Sequence, residues 1–216
     1  MSWRYFSVVP SLRTEERWAA ECLEAALPGV EVKQNDDGSR ASMYDLGLFR
    51  EGELIGSCEV TIAADPALFK LWHKIHGNHP KPAGHGRRDQ LGLPVPFAAP
   101  LQTDSAAAEL LCEWLSEWLA SPGQLHNIHK ACDGGSEQNH LFVLLPGYTV
   151  APFPARHLLT DQGGCLPGGN PSPPGALTHI WTMSTWSTGD LFGWSETAGW
   201  RRHRKVPLAA PIALAA

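Results

Sequence analysis

Long apolar runs, paired cysteines and an excess of basic charge are all missing from this sequence. No apolar run reaches the roughly 18 residues that a membrane helix needs. The uncharged stretch 141–155 is broken by Pro146, Pro152 and Pro154. No basic segment followed by an apolar core opens the chain, so the expectation is a cytoplasmic protein without a secretory leader. The five cysteines (Cys22, Cys58, Cys112, Cys132 and Cys165) are odd in number and form no CxxC pair. Cys22, Cys58 and Cys112 fall within apolar patterns, as buried reduced thiols do. Lys and Arg total 17 against 22 Asp and Glu, for a net charge of -5. That balance excludes a globally basic nucleic-acid coat and gives no attraction to a membrane, so any nucleic-acid contact is local. Charged residues are only 18% of the chain and hydrophobic ones 43%, which excludes disorder by composition.

What is present fits one folded domain over 1–206, with a core over 14–145, a loop- and Trp-rich extension over 146–206, and a loose tail over 207–216. Gly 21 and Pro 18 make 39 of 216 residues and point to long irregular segments. Residues 14–27 have helical spacing in Trp18, Cys22 and Ala25 or Ala26, with Thr14 as cap and Pro28-Gly29 as stop. Val30–Lys33 reads as a short strand. Met43–Arg50 and Leu54–Ile62 alternate as two arms of a hairpin. Asp65-Pro66 opens a second helix, residues 77–103 form a loop, and Asp104 caps a third helix to about Leu119. His140–Leu145 is apolar throughout, as a central strand is. Thr178–Ser184 and a hairpin over 190–206 complete the set. This order predicts an α/β or α+β fold with one mixed sheet flanked by helices.

The chemistry centres on Asp45 in one hairpin arm and Glu59-Val60-Thr61 in the other. The connection decides their geometry. A three-residue loop (Glu51-Gly52-Glu53) sets Asp45 opposite Glu59. A two-residue loop sets it opposite Cys58 and sends the acids to opposite faces. Two carboxylates on one face repel each other and are comfortable only with a cation or a proton between them. Mg²⁺ binds through one or two such carboxylates plus water and phosphate.

The run Asp36-Asp37-Gly38-Ser39-Arg40-Ala41-Ser42-Met43-Tyr44-Asp45-Leu46, followed by Glu59-Val60-Thr61 and Ala63-Ala64-Asp65, resembles an uncharacterised bacterial family. That family pairs a DDGS…MYDL segment with an EVT strand. Glu137–Val143 and Thr178–Trp181 resemble its second half, so the likeness covers most of the chain. The first half also resembles the restriction-endonuclease-like (PD-(D/E)xK) fold, whose signature is an opening helix, an Asp, then Glu-x-Lys on the next strand. The resemblance implies that Asp45 and Glu59 hold Mg²⁺ or Mn²⁺ for phosphodiester hydrolysis of nucleic acid. Thr61 stands where the catalytic lysine is expected, and a hydroxyl cannot supply that charge. Lys70 or Lys74 on the following helix could replace it. Glu21 or Glu24 on the first helix could add a third ligand, with Asp37 a further candidate.

Other features compete. Lys70, Lys74, Lys81, Arg87 and Arg88 form one basic cluster, and Arg201, Arg202, Arg204 and Lys205 another; a few such residues suffice for phosphate contacts. His73, His76, His79 and His85, and separately His126, His129 and Cys132 beside Asp133, suggest zinc without a standard spacing. Trp181, Trp186, Trp194 and Trp200 could stack bases or cover a sheet. Three functions therefore stand: a metal-dependent nuclease, an inactive relative that binds nucleic acid or protein, and a small-molecule enzyme using the same cleft.

Overall fold

Alternation along the strands assigns each side chain to one face of a sheet, and helices cover both faces. The computed structural model describes residues 12–36, 43–63, 105–145, 166, 169–184 and 191–203. Among the described residues are three helices, α1 (Thr14–Ala26), α2 (Ser105–Leu119) and α3 (Pro122–Cys132). Seven strands accompany them: β1 (Glu31–Gln34), β2 (Leu46–Arg50), β3 (Glu53–Ile62), β4 (Gln138–Leu145), β5 (His179–Ser184), β6 (Leu191–Ser195) and β7 (Gly199–His203). They form one mixed sheet in chain order. β3, β4 and β5 are parallel neighbours, and every other neighbouring pair is antiparallel. A parallel step requires a crossover, and α2 and α3 lie in the chain between β3 and β4.

One face of the sheet packs on α1. Trp18, Ala19, Cys22 and Leu23 meet Leu46, Leu48, Cys58, Val60, Phe142, Leu144, Trp181 and Met183. The other face packs on α2 and α3. There Cys112, Leu115, Leu119 and Ile128 meet Leu141, Val143, Leu145, Ile180, Phe192 and Trp194. The result is a three-layer α/β arrangement. β4 is the central strand and is buried from Asn139 to Leu145, as its unbroken apolar run requires. No helix among the described residues is long and apolar enough to cross a membrane.

Three local expectations need correction or extension. Thr14 is the first helical residue, and the cap position belongs to Arg13, whose amide donates to Glu16 Oε2 at 2.8 Å. α3 follows α2 after a two-residue break, with Ser121 at its cap position and Pro122 in its first turn. Trp181, Trp194 and Trp200 are core residues, which removes them as an exposed base-stacking surface. The helix expected after Asp65, Asp104, Trp186, the histidines at 73–85 and the tail lie outside the described residues.

Candidate functional site

The hairpin connection has two residues, Glu51 and Gly52, with φ of 53° and 86°. Left-handed conformations at both positions match the twist of a tight hairpin. Such a loop alone would set Asp45 opposite Cys58. The ladder, however, shifts between Leu48 and Phe49: Phe49 pairs with Leu54, and Leu48 with Gly56. The extra residue, Ile55, is a β-bulge. Beyond it Leu46 faces Cys58, so the next position along places Asp45 across from Glu59. One inserted residue thus brings Asp45 level with Glu59: the Glu59 side chain meets Lys130 on α3, and the Asp45 side chain meets the Val60 amide and Arg13 at the start of α1.

Both carboxylates are buried, Asp45 at 1% exposure and Glu59 at 4%. Asp45 Oδ2 accepts the Val60 amide at 2.8 Å, and Oδ1 faces Arg13 Nη2 at 3.1 Å. Glu59 Oε1 lies 2.5 Å from Lys130 Nζ on α3. Glu59 Oε2 is buried and has no hydrogen-bond partner among the described residues. Glu16 on α1 is also buried and pairs with the Arg13 side chain. Burial raises the Asp45 carboxyl above its ordinary value, against the Val60 amide and Lys130; Glu16 adds repulsion and Arg13 relieves it. Burial, then repulsion by Asp45, pushes Glu59 up to about 7, despite the hydrogen bond and charge of Lys130 and a weaker pull from the Asp45 amide. With Glu16 counted, three buried carboxylates share two cations, Arg13 and Lys130.

α3 is docked on β3 by polar contacts on either side of Glu59. Thr61 Oγ1 lies 3.3 Å from Gln124 Oε1 and 3.4 Å from Asn127 Nδ2. Ser57 Oγ donates to the Ala131 carbonyl at 2.5 Å. Gly134 follows the helix where a Cβ would stand 2.7 Å from Ser57 Cβ, so only glycine lets the chain pass this close. Gln124, Asn127, Lys130 and Ala131 follow helical spacing and present one face to the strand.

A second buried polar group lies on the α1 face. Trp181 Nε1 donates to His140 Nδ1 at 2.9 Å, which leaves the proton on His140 Nε2, 3.3 Å from Gln138 Oε1. His179 stacks on His140 with ring centroids 4.2 Å apart. Burial holds both imidazoles below their ordinary value, His140 far below.

The structure brings Asp45, just before β2, level with Glu59 on β3; Thr61 lies two residues beyond Glu59 and turns its hydroxyl to Gln124 and Asn127. Glu24 does not join them: it is exposed and accepts the Val32 amide at 2.9 Å. Glu16, two turns earlier, is the α1 acid that bears on Asp45. Glu21 lies half-buried further along α1. Lys70, Lys74 and Asp37 lie outside the described residues. Sequence reasoning missed Arg13, Glu16, Gln124, Asn127 and Lys130. The signal for Lys130 was local: Ser121-Pro122 opens a helix, and Ile128 and Ala131 set its buried face. His126 and His129 stand exposed on that helix. Among the described residues no group of three or more His, Cys, Asp or Glu is arranged to hold a metal ion. The donor set at Asp45 and Glu59 is two hard oxygen ligands with one orphaned oxygen, which suits Mg²⁺ or Mn²⁺ completed by water and phosphate rather than zinc.

No family model, curated protein or solved structure matches this chain.

Proposed function

We propose that Asp45, Glu59 and Lys130 form a divalent-cation-dependent centre of restriction-endonuclease-like type, hydrolysing phosphodiester bonds in nucleic acid. The observation that carries this reading is Glu59 Oε2: a buried carboxylate oxygen without a hydrogen-bond partner among the described residues, near a second buried carboxylate, Asp45. A buried carboxylate oxygen left without a partner is costly, and a bound cation removes the cost. The opening helix, the aspartate at the start of β2 and the glutamate on β3 agree in order with the signature that the sequence resembles. Lys130 supplies, from α3, the positive charge that Thr61 cannot.

Mg²⁺ or Mn²⁺ would be held by Asp45 and Glu59, where it supplies Lewis-acid neutralisation and a more acidic water. Lys130, beside Glu59, would offset negative charge that grows on the attacked phosphate. Arg13, at the solvent side of Asp45, offers a guanidinium suited to phosphate oxygens. Thr61, Gln124 and Asn127 hold α3 in register so that the ammonium reaches its place.

A second reading is an inactive relative that binds nucleic acid or protein. Its support is that Asp45 Oδ1, Asp45 Oδ2 and Glu59 Oε1 already have partners within the chain. Cleavage assays on single- and double-stranded DNA and RNA with Mg²⁺ or Mn²⁺ separate the two. Cleavage that disappears in Glu59→Gln and with chelator upholds the first. Salt-sensitive binding without cleavage, unchanged by chelator, upholds the second. Stabilisation by a small metabolite but not by nucleic acid would remove both.

A further inference from the structure

The Arg13 side chain is 61% exposed, yet its tip reaches two carboxylates that are nearly dry. Nη2 lies 3.1 Å from Asp45 Oδ1, and Nε pairs with Glu16. The Asp45 and Glu16 side chains are 0% and 7% exposed. An exposed stem with buried contacts puts the guanidinium between solvent and the carboxylate cluster. Its main-chain anchor does not depend on that contact, because the Arg13 amide is held by Glu16 Oε2. Arg13 precedes the first helical residue in extended backbone, with φ -58° and ψ 158°. The side chain can therefore leave Asp45 without unwinding α1.

We propose that Arg13 is a built-in stand-in for the divalent cation. It neutralises Asp45 and Glu16 in the metal-free protein, and swings outward when a cation takes Asp45. Outside, the same guanidinium meets a phosphate group of the substrate, so cation entry and phosphate capture are coupled. This rests on the carboxylate centre of the proposed function. The chemistry suits the role. Arginine stays charged, is more weakly hydrated than an ammonium, and matches carboxylate and phosphate oxygens alike. Lys130 differs from it: its side chain is 15% exposed and is held in the layer between α3 and β3, so it stays while Arg13 moves.

The test is Mn²⁺ binding to the full chain at pH 8 and low salt, read from free Mn²⁺ by electron paramagnetic resonance. Wild type is compared with Arg13→Ala, Arg13→Gln, Arg13→Lys and Asp45→Asn. Removing a competing charge should tighten binding about tenfold in Arg13→Ala and Arg13→Gln, corresponding to about 1.4 kcal/mol. Arg13→Lys should stay near wild type, and Asp45→Asn should bind weakly or not at all. Folded Arg13→Ala and Arg13→Gln that bind no tighter than wild type overturn the stand-in role, while a loss confined to Asp45→Asn leaves the carboxylate centre standing. Absence of binding in every variant overturns both. A second measurement needs no substitution: in wild-type protein, Mg²⁺ should shift the Arg13 Nε–H resonance and speed its exchange with water. An Arg13 signal indifferent to saturating Mg²⁺ is an overturning result as well.

Discussion

Lys130 Nζ stands 2.5 Å from Glu59 Oε1, with the two side chains 15% and 5% exposed. The contact joins α3 to β3 across 71 residues of chain. It puts an ammonium beside the glutamate even though the strand offers only Thr61 two residues on. The hydroxyl of Thr61 is turned instead to Gln124 and Asn127 of the same helix.

Removing that ammonium should expose the charge beneath it. Lys130→Met leaves Glu59 buried without its ion partner, and the expected loss is about 3–5 kcal/mol at pH 8. At pH 5, where Glu59 takes up a proton, the loss should be markedly smaller. Urea denaturation at the two pH values checks this. Equal losses at both would mean that packing, not charge, ties α3 to β3.

The pH dependence carries two opposing slopes. Glu59 titrates near 7 in the folded chain against an ordinary 4.5, so the folded state binds its proton more tightly. The stability from this group is full below the ordinary value and is lost as pH rises through 7, by about 3 kcal/mol. His140 and His179 are lowered, so their contribution is full above the ordinary 6.5 and is lost as pH falls below it. Glu59→Gln should therefore raise the melting temperature at pH 8 relative to pH 5, compared with wild type. His140→Phe should do the reverse, on top of a constant cost for the acceptor that Trp181 Nε1 loses. Melting curves at half-unit steps from pH 5 to 8 read both, and a pH-independent offset in either variant would contradict its assigned titration.

The hairpin turn gives a third expectation. Glu51 holds φ of 53°, a left-handed conformation that Asn adopts more readily. Glu51→Asn should stabilise the fold by about 0.5–1 kcal/mol. The bulge at Ile55 lies beyond the turn, so the Leu46–Cys58 pairing should persist, visible as an unchanged cross-strand nuclear Overhauser contact. A lost contact would show that turn and bulge are coupled.

Much of the framework was legible without a structure. Trp18 and Cys22 at helical spacing mark α1, the alternation after Gly56 marks the faces of β3, and the apolar run to Leu145 marks the central strand. These are local periodicities, and burying an apolar stripe leaves few other solutions. α3 was not legible in the same way, because its two buried positions, Ile128 and Ala131, make a thin apolar stripe.

Asp45 and Glu59 were both identifiable as residues, and their even separation left two geometries open. A two-residue turn by itself excludes the facing arrangement, yet Leu46 pairs with Cys58 and Asp45 stands level with Glu59. The deciding feature is one bulged residue, and a bulge is set by how β2 and β3 fit their layer rather than by any motif in the hairpin. The cations follow the same rule. Arg13 and Lys130 lie 32 and 71 residues from the acids they meet, and no spacing along the chain announces such partners. Local order thus came from the chain's own pattern of apolar side chains, and the charge balance at Asp45 and Glu59 from packing, because electrostatic partnership depends on distance in space and on burial, and both exist only once the layers have closed.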